Sequence, residues 1–279
     1  MKKVRDNFLF RMWLMLSALI VLALVGFIIG YIVLNGMKSI SLDFLLSHPK
    51  GIPLGAEGGI LPAIVGSLLL TLIACASASV LALATAVYVS FYCQSRQLET
   101  VVHVIVQCMA GVPSIVVGLF GYTFLVAKLN LGRSLLSAGL TLGVMIFPFI
   151  EVRAEKSLRE FNRAILQSSY ALGVSKVYTL LKLVLPQCKA DIVAAVTLAG
   201  GFAMGAAAPI ILTGAVIFAP IPRSLSSPVM ALPFHLYILT GEGISLEKAY
   251  ATALVLMVLI FAINIVSIAL TFRRKEVGR

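Results

Sequence analysis

Few residues in this 279-residue chain have the types that catalysis needs. The three histidines are His48, His103 and His235. His103 stands near the start of an apolar run and reads as interfacial. His235 stands in an apolar loop and reads the same way, with a gate or partner contact as the alternative. The cysteines Cys75, Cys93, Cys108 and Cys188 have no metal or redox spacing and read as small apolar filler. The chain has no Gly-x4-Gly-Lys-Ser/Thr phosphate loop. The ordered spacings are of another kind. Gly173 is followed, nine residues on, by Leu183-x-Leu185-Pro186. Gly111, Pro113, Ser114 and Gly118 interrupt one apolar run, and Gly201-x3-Gly205 with Ala206, Ala207, Ala208 and Pro209 interrupts another. Glycine and proline in an apolar helix free backbone amides, which can face an anion at a helix start. Ser114 is the nearest hydroxyl. A structural kink is the alternative reading. The small residues around Gly205 make a smooth face for close helix contact, and Pro209 bends or unwinds the helix. Simple packing explains that segment too, and it is compatible with a moving seam between two subunits.

The elements that must position these residues follow from composition. The chain is 60% hydrophobic and 12% charged, against about 45–50% and about 25% for a soluble domain. This excludes an ordinary soluble protein, a disordered chain and a disulfide scaffold. Apolar runs long enough to cross a membrane, at roughly 20 residues each, cover approximately 12–34, 60–92, 101–126, 135–150, 192–218 and 249–272. The first is too long for a signal-peptide core and has no small-residue cleavage site after it. The second is long enough to require tilt or an interfacial portion. Six spans place both termini on one side. That side gathers the basic residues Lys2, Lys3, Arg5, Arg11, Arg96, Arg153, Lys156, Arg159, Arg163, Lys176, Lys182, Lys189, Arg273, Arg274, Lys275 and Arg279. The other has Lys38, Lys50, Lys128, Arg133, Arg223 and Lys248. The positive-inside rule puts both termini in the cytoplasm. The net charge of +11 then belongs to loops and lipid headgroups, not to nucleic acid.

The 151–191 segment is the only extended polar stretch. Its opening, Glu151 to Glu160, alternates carboxylates and bases at three- and four-residue offsets and reads as a solvated helix. Leu166, Tyr170, Ala171 and Val174 follow as an apolar stripe, and Gly173 suits a close approach or a sharp turn. Pro186 suits the start of the next helical element. The result is a helical knob that either docks a soluble partner or lies on the membrane surface. Outside the membrane on the other side, the apolar piece Pro228 to Leu239 is too short to span and contains Pro233, so it is interfacial or re-entrant.

Gly173-x9-Leu183-x-Leu185-Pro186 resembles the coupling motif of ABC-importer permeases, whose pattern is Glu-Ala-Ala, three residues, Gly, nine residues, Ile-x-Leu-Pro. Gln167, Ser168 and Ser169 stand where the family has Glu-Ala-Ala. Gly58 to Leu68, Gly111 to Tyr122, Ser168-Ser-Tyr-Ala-Leu-Gly173 and Pro228-x4-Leu232-Pro233 look like the A-type permease of the phosphate-specific importer. The similarity runs from Ser41 to the tail. It implies an all-α integral membrane protein forming one domain over 1–279, with six transmembrane helices of the type I ABC-importer permease kind and a cytoplasmic coupling helix. Gln167, Ser168, Ser169, Tyr170, Ala171, Leu172, Gly173, Leu183, Leu185 and Pro186 would couple to the ATPase. Ser114, Phe202, Gly205, Ala206 and Pro209 would line the pathway.

The resemblance also implies partners: a homologous second permease, two cytosolic ATPase subunits, and a periplasmic or lipid-anchored binding protein, in a bacterial inner membrane. It implies no cofactor on this chain, because ATP and Mg bind the ATPase. Family members commonly carry Ala-Arg-Ala-x-Gly-Glu-Thr-Ala-Pro in span five. Here Phe202 replaces the arginine and Ala206 the glutamate. An intramembrane charge is costly and usually kept for function. Phosphate, the substrate the resemblance implies, therefore stands beside another oxyanion, a less polar solute or a sensory role. A membrane-embedded enzyme would need acid, base or metal ligands converging at one depth. An ATP-independent channel or carrier usually keeps a buried carboxylate or histidine.

Overall fold

The computed structural model describes residues 8–277 apart from residue 54. Lys2, Lys3, Arg5 and Arg279 lie outside the described residues, as do the side chains of Arg273, Arg274 and Lys275. The chain is almost wholly helical: α1 (Phe8–Gly36), α2 (Leu42–Leu46), α3 (Leu61–Val87), α4 (Arg96–Gly111), α5 (Ser114–Gly121), α6 (Leu135–Arg159), α7 (Arg163–Ala171), α8 (Lys176–Thr179), α9 (Leu185–Gly205), α10 (Ala208–Thr213), α11 (Leu232–Gly241) and α12 (Leu246–Val277). One two-residue antiparallel ribbon, β1 (Pro49–Lys50) with β2 (Glu57–Gly58), closes the loop before α3. Five helices or continuous helical runs are long and apolar enough to cross a membrane, and α4 with α5 supplies a sixth if the bent pair is one span.

The pair α3 and α6 forms the central strut. Ala74, Ala78, Ala82 and Ala86 recur every four residues along α3, all buried. They present the narrow face that close packing in lipid favours. On the facing helix, a Cβ added at Gly139 would come within 2.5 Å of Ile73, and one at Gly143 within 2.3 Å of Ser77. Ser134 caps α6 by accepting the Ser137 N–H at 3.2 Å. At the other extreme α1 is exposed along most of its length and leans on α12, where the Tyr31 and Tyr250 rings meet edge-on at 5.6 Å.

Three spans differ from the expectation. The third is two helices bent by 101°. Pro113 forces Val112 into an extended conformation (φ −70°, ψ 128°) and ends α4. The fourth does not stop at Ile150 but continues as one helix to Arg159, with Glu155, Lys156 and Arg159 finding partners along its last turns. The fifth begins at Leu185, breaks at Ala206 (φ −83°, ψ 117°) and resumes at Ala208 with Pro209 in its first turn. Residues 214–218 are not helical. The apolar outer piece is α11, a short helix tucked into the protein. The Ser67 hydroxyl accepts the Leu232 N–H at 2.8 Å at its start. A Cβ at Gly66 would come within 1.9 Å of the Met230 carbonyl, so the α3 end and the α11 entry fit only without that atom.

Candidate functional site

Two regions carry the residues singled out from the sequence. The first is a cavity of about 420 Å³ at the two broken spans, lined by Ser114, Met145, Gly201, Phe202, Gly205 and Ala206 to Ala208. Four of the five expected pathway residues therefore meet. The fifth, Pro209, is buried one position further and packs on α5: a Cβ at Gly118 would come within 2.9 Å of its Cα. Ser114 opens α5 with no side-chain cap; the Pro113 carbonyl accepts the Val116 and Val117 N–H groups at 2.9 and 3.3 Å, so of the first-turn amides only those of Ser114 and Ile115 have no helical acceptor. Phe202 is 54% exposed, with its ring 5.2 Å from that of Phe149. The lining is uncharged among the described residues. Met145 escaped the sequence reading, since nothing but apolarity marks it.

The second region is the knob. Asn162 caps α7 by accepting the Ala164 N–H at 2.9 Å, and Ser175 caps α8 by accepting the Tyr178 N–H at 3.3 Å. Between them Gly173 takes φ +77°. That conformation favours glycine. Its Cβ position is open, so a turn, and not a close approach, is what this glycine serves. Ser169, 6% exposed, shares a 2.8 Å hydrogen bond with Thr179 across the turn and ties the two short helices together. A π-helical turn, Leu180–Val184, leads into α9.

The coupling residues divide between the surface and the base of the knob. Gln167, Ser168, Tyr170, Ala171, Leu172, Gly173 and Pro186 are exposed. Leu183 and Leu185 are half-buried against a small core built on Ala154, Leu158, Phe161 and Val184. The expected apolar stripe also divides. Leu166 packs on this core while Tyr170 and Ala171 face outward. Leu172 is 82% exposed and is joined by exposed Val177 and Tyr178, neither of which the sequence reading selected.

Two further readings are corrected. Glu151 and Glu155 do not lie on a solvated helix. Both are buried on the last turns of α6, and Glu155 pairs with Arg159 and with His103 of α4. His103 is thus a cross-helix partner of Glu155. His235 is not interfacial. It is buried, with Nδ1 3.3 Å from the Thr252 hydroxyl and the Phe218 ring edge-on at 5.8 Å.

The family profile described as "Binding-protein-dependent transport system inner membrane component" matches residues 78–275. The chain belongs to this family. It is a membrane permease component of ABC importers, a part that is not itself catalytic, and a multi-pass membrane protein. Among relatives, the permease is 24% identical over 277 residues to the probable ABC transporter permease protein YqgI of Bacillus subtilis (strain 168), which covers 93% of each chain. It is 26% identical over 280 residues to the phosphate transport system permease protein PstA of Mycobacterium leprae (strain TN), covering 97% of this chain and 90% of the relative. Its fold is similar to a solved inward-facing structure of the MetNI methionine ABC transporter, with a TM-score of 0.64 at 18% identity, covering 77% of this chain and 95% of that one. A bacterial alginate importer matches with a TM-score of 0.59 at 16% identity, covering 94% and 96%.

Proposed function

We propose that this permease forms half of the translocation pathway of an ATP-driven importer for inorganic phosphate, completed by a homologous second permease. The observation that carries the coupling half of this reading is the knob: a capped, internally tied helix pair that holds Tyr170, Leu172, Val177 and Tyr178 exposed at its tip. Such a tip suits a groove on a cytosolic ATPase, on the helix-in-groove pattern. The knob and both termini then face the cytoplasm, where the exposed Arg163, Lys176, Lys182 and Lys189 satisfy the positive-inside rule. ATP and Mg belong to two ATPase subunits, and a periplasmic or lipid-anchored binding protein delivers the substrate.

Phosphate is supported by the PstA relatives. The cavity offers it Ser114, whose hydroxyl and uncapped amide can offset lost hydration without a full charge. A second reading rests on the cavity lining: Phe202 and Ala206 bring no charge, which suits a less polar solute on the same scaffold, or a second permease that supplies the basic groups.

The test is ATP hydrolysis by the assembled complex in lipid nanodiscs. Binding protein loaded with phosphate is expected to stimulate hydrolysis, and Gly173→Asp to abolish the stimulation or release the ATPase. Normal assembly and normal stimulation in that variant would sink the coupling assignment. Stimulation by a neutral solute but not by phosphate would move the substrate to the second reading.

A further inference from the structure

Where α4 passes the last turns of α6, the structure collects charged and metal-ligating side chains that neither the cavity nor the knob uses. His103 Nε2 lies 2.9 and 3.0 Å from the two oxygens of Glu155. One donor atom each from Glu99, His103 and Glu155 falls within a sphere where all three lie within 4.8 Å of one another. Glu151, one turn earlier on α6, borders the same cavity of about 390 Å³. It is 1% exposed, and neither of its carboxylate oxygens has a hydrogen-bond partner among the described residues. Its charged neighbours are the like-charged Glu155 and, on the other side of the balance, His103 and Arg159.

Charge decides what this cluster lacks. Arg159 bonds both Glu99 and Glu155. Lys156, the other base on this face of α6, is exposed and turned to Glu160 at 3.8 Å. Glu99, partly exposed, and Glu155 are thus both engaged by Arg159, and the buried Glu151 carboxylate is the one left without a hydrogen-bond partner among the described residues. A buried carboxylate takes up a proton unless it is paired or coordinates a metal. One unpartnered buried carboxylate beside one imidazole nitrogen and the carboxylate oxygens of Glu99 and Glu155 describes a ligand set for a divalent first-row cation such as Zn²⁺ or Mn²⁺.

We propose that His103, Glu151 and Glu155, with Glu99 at the rim, form a divalent-cation site that fastens α4 to α6. The placement gives the site a consequence. α4 leads to the Pro113 break and Ser114, and α6 leads to the knob through Asn162. A bound cation would make the approach to the cavity and the support of the knob one rigid unit. The competing arrangement holds two protons instead, one on His103 and one shared between Glu151 and Glu155.

The full chain is purified in detergent, stripped with a chelator, loaded with Zn²⁺ or Mn²⁺ and desalted, and its metal is measured by mass spectrometry and titration calorimetry. The expected result is one tightly held equivalent, with affinity at least roughly tenfold weaker in Glu151→Gln and in His103→Gln, the scale seen when a metal site loses a supporting group. His48→Gln removes an exposed histidine elsewhere and is expected to leave binding unchanged. The wild-type load needs no variant to be informative: a wild-type chain that retains neither cation overturns the proposal and leaves the two-proton arrangement. Equal loss in His48→Gln, or full binding in both Glu151→Gln and His103→Gln, also overturns it.

Discussion

The cavity and the knob are built on opposite principles. The cavity lies among apolar spans yet is lined by glycine, alanine and the starts of broken helices, so its polarity is that of backbone and one hydroxyl. The knob lies beyond the spans yet turns Leu172 and Tyr178 outward. In lipid an apolar side chain gains nothing by burial against another helix, and contact is governed by small residues and polar groups. Outside lipid, a group of exposed apolar side chains such as Leu172, Val177 and Tyr178 marks an interaction surface. The difference is the one expected if, as proposed, one region passes a small solute and the other holds a stable macromolecular contact.

The comparison is broken most severely at the tip of the knob. Leu172→Asp should cost about 2 kcal/mol or more of docking energy, the scale of an interface anchor. ATPase co-purification with the permease should fall at least tenfold while the fold, followed by thermal unfolding in detergent, is unchanged. Next is the seam beside the cavity. Gly118→Val places a side chain where a Cβ already meets the backbone of Pro209 at 2.9 Å. Overpacking there should cost about 1–3 kcal/mol, read as a lower unfolding temperature together with weaker substrate stimulation. Ser169→Ala removes the tie between α7 and α8 and should cost about 1 kcal/mol. Limited proteolysis of the knob should accelerate several-fold while substrate affinity is untouched. Ser114→Ala is the mildest change: loss of one neutral hydrogen bond, about 0.5–1.5 kcal/mol, should weaken phosphate stimulation by a few-fold and leave co-purification intact. Unchanged affinity in that variant would remove Ser114 from the pathway.

The sequence was most legible where a local rule acts. Apolar runs mark the spans, Pro113 marks the break after Val112, and Gly173 marks a turn that its positive φ requires. Ser114, Phe202, Gly205 and Ala206 were selected on two distant segments, and the fold brings them to one cavity. What escaped depends on a neighbour from elsewhere in the chain. Glu155 looks solvated when read at helical offsets along α6, because its partner His103 stands 52 residues away. The alanine ladder from Ala74 to Ala86 is simply apolar until the glycines of α6 face it. Ser169 belongs to a polar stretch, yet Thr179, ten residues on, turns it inward. Periodicity reports one helix at a time, and these features are properties of pairs.

The most direct test of the account is uptake of labelled phosphate into proteoliposomes holding this permease with its second permease, ATPases and binding protein, in the wild type and in Leu172→Asp. The account predicts uptake that requires ATP and every component, lost in Leu172→Asp even when the permeases still assemble. Uptake that persists without ATP, or that is undiminished by Leu172→Asp, would contradict it.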